Sequence, residues 1–272
     1  MKISFLSALY CRYPLEKVFR DAAHYGYDGV EVWGARPHAY AYDVDQEKAE
    51  EILALKEKYQ LEIPLYCLEL LAYPYNISTP DLKERLDTIA YLKAGIDAAA
   101  AIGAPKMQLA CGHAGYGTNK KQNMDNVVAV LKEAAEQAEK KEIDIIVEPL
   151  TVQESNTVVF LDDVLEVMDR VGSPRIKSML DTVMPMTNWE TYEDYFEKLG
   201  DKLAYVHVGD SSGVDQYHKQ FGTGILDWPM IADILKRYNY DGWVSLELIS
   251  SFIREPEMFV AREARELKKY FK

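Results

Sequence analysis

The strongest constraint in this sequence is an alternation: short apolar runs rich in β-branched residues give way, again and again, to longer amphipathic stretches. Eight such runs stand out, near residues 2–6 (KISFL), 29–34 (GVEVWG), 63–70 (IPLYCLEL), 106–112 (KMQLACG), 144–150 (DIIVEPL), 176–181 (IKSMLD), 203–210 (LAYVHVGD) and 243–249 (WVSLELI). A strand in a parallel sheet is covered on both faces and needs a crossover to reach its neighbour. Apolar runs spaced by helical patterns therefore mark repeated βα units. The intervening stretches read as helices. PLEKVFRDAAHY places Pro14 in a first turn, DLKERLDTIAYLKAGIDAAAAIG closes on Gly103, and NVVAVLKEAAEQAEKK carries an apolar stripe with charges outside it.

Eight strands and eight helices in 272 residues, with no linker rich in Gly, Pro or Ser, predict an α/β chain folded as a single-domain (β/α)₈ TIM barrel. The competing arrangement, a doubly wound open sheet, would call for a glycine-rich phosphate turn after the first strand, and SALYCRYPLEK contains no glycine. A weak internal echo, Tyr27-Asp28-Gly29 and Tyr240-Asp241-Gly242, predicts that a glycine in the left-handed conformation ends a helix just before strands two and eight.

Charge and cysteine content narrow the function. A formal net charge of -13 removes long-range attraction to nucleic acid or an anionic membrane surface, and no window approaches eighteen consecutive apolar residues. The opening run ISFLSALY has no small-residue cleavage pattern after it and reads as a first strand. Cys11, Cys67 and Cys111 are far apart and odd in number, which fits packing residues in a reducing cytoplasm better than a disulfide framework.

Four of the predicted strands end on a ligand-type side chain. Glu148, Asp181, His207 and Glu247 close strands five to eight at spacings of 33, 26 and 40 residues, each about one βα unit. In a barrel of this kind the C-terminal strand ends converge on one mouth, so four consecutive strands present one oxygen or nitrogen each to the same space. Three carboxylates that close repel one another unless a cation lies between them, which predicts one divalent metal ion. The hard, oxygen-rich donor set suits Mn²⁺, Co²⁺ or Mg²⁺, with Ni²⁺ admissible and Zn²⁺ less favoured. Glu31 near the end of strand two, His113 after strand four, and Glu154 with Asn156 after strand five are placed to meet a polyhydroxylated ligand. Trp33, Tyr73, Tyr75 and Tyr116 are loop aromatics suited to stacking on a sugar or capping the barrel. His24 reads as a surface residue of a helix, and His218 sits in the long loop GDSSGVDQYHKQFGTG, with the mouth and the solvent both open to it.

The set VEPL, MLD, YVHVGD and SLEL resembles the xylose-isomerase-like sugar isomerases and epimerases, and in particular their 3-epimerase branch. Further stretches, among them YDGVEVWGARPHAY, AYPYN, GHAGY, EPLTVQESN and REPEMFVAREA, carry the likeness over nearly the whole chain. The resemblance implies a metal held by Glu148, Asp181, His207 and Glu247, with Glu148 and Glu247 also forming the proton-transfer pair and Glu154 touching substrate hydroxyls. It implies inversion at C3 of a ketose, or of a ketosamine of the fructoselysine type, through a cis-enediolate. A free-ketohexose 3-epimerase and an aldose-ketose isomerase are the alternatives. The partners implied are a small sugar or glycated amino acid and further copies of the chain in a homo-oligomer.

Three positions depart from the free-ketose pattern. Met184 stands where a substrate-binding His is expected, Gly213 where an arginine is expected, and Phe221-Gly222-Thr223-Gly224 where Pro-Gly-x-Gly is usual. Those departures point to a larger substituent at C1 of the sugar.

Overall fold

Parallel pairing runs through all eight strands of the computed structural model, which describes residues 1–248 and 254–272. The strands are β1 (Lys2–Phe5), β2 (Val32–Trp33), β3 (Tyr66–Cys67), β4 (Lys106–Ala110), β5 (Asp144–Glu148), β6 (Ile176–Asp181), β7 (Leu203–Val208) and β8 (Trp243–Leu246), in the order β1-β8-β7-β6-β5-β4-β3-β2. A parallel bridge between Leu6 and Glu31 joins the two ends: Glu31 donates its N–H to the Phe5 carbonyl at 3.1 Å and Ser7 donates to the Glu31 carbonyl at 2.9 Å. The sheet thus closes into the expected TIM barrel, with no free edge.

Around it lie α1 (Leu15–Tyr25), α2 (Gln46–Tyr59), α3 (Leu82–Ala101), α4 (Lys120–Lys141), α5 (Leu161–Val171), α6 (Val183–Asn188), α7 (Tyr192–Leu199), α8 (Trp228–Arg237) and α9 (Pro256–Phe271). The described residues hold nine α-helices rather than eight, because the single-turn-and-a-half α6 forms in the β6 loop directly after Asp181. Helix α4 begins well before the apolar stripe at residue 126. Asn119 and Gln122 form a reciprocal capping box that satisfies the orphan amides of its first turn.

The expected runs overshoot the ladders. Strands β2 and β3 are only two residues each, since Pro64 supplies no N–H to the ladder and leaves the pairing to isolated contacts such as the Gly29–Glu62 bridge. The eighth expected run ends at residue 249, which lies outside the described residues.

The Tyr-Asp-Gly expectation is corrected. The left-handed residues are Gly26 (φ 74°) and Asn239 (φ 53°), one turn earlier than Gly29 and Gly242. These two glycines serve close approach instead: a Cβ on Gly29 would lie 2.7 Å from the Glu62 carbonyl, and one on Gly242 2.6 Å from the Tyr240 hydroxyl.

Strand parity decides what points where. Outward residues such as Ile145, Val147, Leu180, Val206 and Val208 pack with the helices in one large apolar core, while Leu65, Ile146, Met179 and Tyr205 form a separate plug on the barrel axis. Each plug side chain is buried, worth about 1.5–3 kcal/mol relative to exposure. Two residues beyond Ile146, Met179 and Tyr205, on the same inward face, come Glu148, Asp181 and His207. Strand β7 carries one extra residue at Ala204, between the pairs Ser178–Leu203 and Met179–Tyr205. That bulge brings Asp181 opposite His207. A slip of one residue would send one of them into the helical layer.

Candidate active site

Above the apolar plug, one ligand atom from each of Glu148, Asp181, His207 and Glu247 lies within 4.8 Å of the other three. Asp181 and His207 are 0% and 1% exposed, and Glu148 is 6% exposed. Asp181 accepts the Val183 N–H through Oδ1 at 2.8 Å, which fixes its carboxylate plane and leaves Oδ2 facing the cluster. Glu247 stands just past β8, its own N–H donated to the Val208 carbonyl at 3.0 Å.

His207 carries the most information. Its Nε2–H donates to both oxygens of Glu31 at 3.0 Å, and Glu31 is completely buried. The other ring nitrogen, Nδ1, then faces the cluster with a lone pair, 3.4 Å from Glu148 Oε1 and 2.9 Å from Glu247 Oε2. Neither contact has hydrogen-bonding geometry, so Nδ1 is a buried polar atom without a hydrogen-bond partner among the described residues. A buried acceptor left unpaired costs about 1–3 kcal/mol. An orphaned imidazole lone pair amid three carboxylates is what a divalent cation would satisfy, and the donor set fits that group.

Electrostatics show the same demand for positive charge. Burial pushes the Glu148 carboxyl up to about 8, against the pull of His207. Burial acts upward on Glu247 too, but His218 and His207 outweigh it and hold that carboxyl near 2. His218 rises to about 10 despite its burial, because it faces Asp181 and Glu247. His207 is likewise raised: Glu31 and Glu247 overcome the burial that would lower it.

Among the other expected site residues, the structure separates those at the cavity from those beneath or beside it. A cavity of about 540 Å³ opens over the cluster, and Glu154, Met184, Trp33 and His218 are among its lining residues. Glu31, expected to meet the ligand, turns both of its oxygens toward His207 Nε2 and is not among the residues lining the cavity. Asn156, also expected at the ligand, is engaged by backbone groups. Its Oδ1 accepts from the Ala114 N–H and its Nδ2 donates to the Gly115 carbonyl, both at 2.9 Å, so it clamps the loop after β4. His113 lines an adjoining recess rather than the main cavity, and Tyr116 is 94% exposed. His24 is exposed on α1, as expected.

His218 is brought to the centre. The loop that carries it is tied by backbone bonds between Asp210 and Lys219 in both directions, 2.8 and 2.7 Å, and the Asp210 carboxylate accepts from Ser211, Gly222 and Leu226 N–H groups. His218 Nε2 ends 2.7 Å from Asp181 Oδ2 and 3.4 Å from Glu247 Oε2. Gln108 of β4 was not foreseen. Its amide donates a short bond to Glu148 Oε2, and only its inward parity, shared with Ala110, marked it in the sequence. Gly213 adopts φ +78°, a backbone conformation that strains any residue carrying a Cβ.

Comparison with known proteins matches this arrangement to one family model, the xylose isomerase-like TIM barrel, over residues 19–270. The chain belongs to that family. It is 38% identical over 267 residues to fructoselysine 3-epimerase of Shigella flexneri, covering 98% of this chain and 96% of that one. L-Ribulose 3-epimerase of Methylomonas sp. (strain DH-1) is 25% identical, covering 89% and 81%. Among solved structures, D-allulose 3-epimerase from Methylomonas sp. in complex with D-allulose superposes with a TM-score of 0.84 at 21% identity, covering 100% of this chain and 97% of that one. Among the described residues, no helix of this family member is long and apolar enough to cross a membrane.

The Glu31 contact has a measurable consequence. In Glu31→Gln the carboxylate that orients His207 and raises its basicity is gone, and affinity for a divalent cation should fall about 10- to 100-fold. Calorimetric titration of the metal-free variant with Mn²⁺ reads this directly, and an unchanged affinity would reduce Glu31 to packing.

Proposed function

We propose that this enzyme is a divalent-metal-dependent 3-epimerase whose substrate is a ketose bearing an amine at C1, a ketosamine of the fructoselysine type. The observation that carries the reading is the pairing of Glu148 and Glu247: they come from β5 and β8, on either side of β6 and β7, yet both reach the same nitrogen of His207. Inverting a carbon beside a carbonyl needs one base to take the C–H proton and one acid to return a proton to the opposite face. Two carboxylates approaching one small space from separate strands meet that need.

Glu148, Asp181, His207 and Glu247 would hold the cation, which when bound supplies a Lewis acid for the negative charge that develops on the substrate oxygens. Glu148 and Glu247 form the pair that takes the proton from C3 and returns one to the opposite face. Gln108 holds the Glu148 side chain in orientation through its second oxygen. His218, 3% exposed, donates its Nε2–H to Asp181 Oδ2 at 2.7 Å and its Nδ1–H to the Gln216 carbonyl at 3.1 Å, and so holds the Asp181 carboxylate in place at the cluster. Glu154, anchored by the Thr151 hydroxyl at 2.8 Å, receives a sugar hydroxyl from the rim. The plug beneath and the apolar walls, including Leu150, Met184 and Leu248, keep bulk water from the intermediate enediolate.

Two features support the amine-bearing substrate: the 38% identity to a fructoselysine 3-epimerase and the apolar Met184 on the cavity wall. Incubation of Nε-fructosyl-lysine with the metal-loaded enzyme in D₂O should place deuterium at C3 with inversion, as read by mass spectrometry and NMR. Deuterium at C1 alone would assign an aldose-ketose isomerase, and label in free ketohexoses but not in the ketosamine would assign a free-ketose epimerase.

A further inference from the structure

We propose that a second recess beside the active-site cavity holds the ammonium-bearing far end of the amine attached at C1, an inference that rests on the ketosamine reading above. The main cavity and a neighbouring one of about 360 Å³ share Leu70, Leu71 and Glu154 as lining residues, so the two chambers meet at a common wall. The larger chamber alone falls within the roughly 300–1,000 Å³ typical of small-molecule sites. The smaller one is therefore surplus to a free sugar and suits a chain that runs outward from it.

Its lining fixes the chemistry of that chain. Among the described residues, the charged ones on its wall are Glu84 and Glu154, and neither Lys nor Arg lines it. Thr151 bonds only one oxygen of Glu154, and Glu84 is engaged through one oxygen by the Thr79 hydroxyl, so each carboxylate keeps an oxygen for a ligand. Tyr73 and Tyr75 add ring surface, which attracts cations within about 6 Å of a ring centre. Asn76 is spent on the frame: it accepts the Ser78 N–H and donates to the His113 carbonyl, both at 3.0 Å. His113 Nδ1 accepts the Gly115 N–H at 2.9 Å, which leaves the Nε2–H as the ring's remaining donor. Two partly engaged carboxylates with aromatic neighbours recognise an alkylammonium, and the shared Glu154 spans from the sugar hydroxyls to that end.

The test uses a matched pair of adducts on the metal-loaded protein, fructosyl-cadaverine, which ends in an ammonium, and fructosyl-pentylamine, which ends in a methyl. Calorimetric Kd values should show the cadaverine adduct bound at least about tenfold more tightly, the effect of one charge-assisted contact. In Glu84→Gln, which keeps the Thr79 contact, that preference should shrink to about threefold or less. Binding of the pentylamine adduct should stay at the wild-type level, which also shows that the variant is folded. Equal affinity of the two adducts in the wild type, an undiminished preference in Glu84→Gln, or no binding of either adduct would overturn the proposal. Deuterium exchange at C3 is read separately. Exchange without preference removes the recess and leaves the epimerase, whereas preference without exchange does the reverse.

Discussion

Glu247→Gln is expected to keep a bound divalent cation and to lose about 10²- to 10⁴-fold in kcat with little change in KM. The amide retains an oxygen at the same reach, so the cluster of Glu148, Asp181 and His207 still offers its full donor count. What disappears is a group able to take or return a proton on one face of the sugar. The variant should therefore wash solvent deuterium into C3 of only one of the two epimers, the one whose hydrogen faces Glu148, and should do so without inversion. Elemental analysis and exchange of each purified epimer in D₂O give the two readouts. Wild-type turnover in Glu247→Gln, or inversion accompanying the exchange, would remove Glu247 from proton transfer.

Chelation is expected to have a comparably large effect. Stripping divalent cations with EDTA should lower kcat by about 10³-fold or more, several kcal/mol of transition-state stabilisation, with recovery on adding Mn²⁺, Co²⁺ or Mg²⁺. Stability should move as well, because a ligand that binds only the folded chain adds about 2.7–4 kcal/mol at 100–1,000 times its Kd. The reason lies in the residues. Stripped of a cation, the cluster leaves the carboxylates of Glu148, Asp181 and Glu247 crowded together, and His207 Nδ1 has no hydrogen bond among the described residues. Full activity in protein shown by elemental analysis to contain no divalent cation would end the metal-dependent reading.

The strand ends were legible because a barrel repeats its logic every βα unit. Asp181 and His207 fall on the inward face two residues past Met179 and Tyr205, so a period-two pattern ending in a polar residue carried both the fold and the position. Residues off that pattern were harder. His218 lies in an irregular loop whose path is set by Asp210 and the crowding at Gly224, where a Cβ would come within 2.2 Å of the Ser211 carbonyl. Glu31 and Asn156 looked like ligand contacts because both sit near the mouth in sequence. In three dimensions one is turned under His207 and the other is consumed by backbone groups of the β4 loop.

The amino-acid sequence by itself determined the barrel, the four strands that deliver ligand-type side chains, and the gathering of three carboxylates and an imidazole at one mouth. Each follows from local periodicity and from counting charges. The tertiary structure alone decided which nitrogen of His207 faces the cluster, that His218 joins it from a distant loop, and that a second chamber opens beside the first. Those depend on side-chain directions and on distances between segments far apart in the chain, which no local pattern encodes.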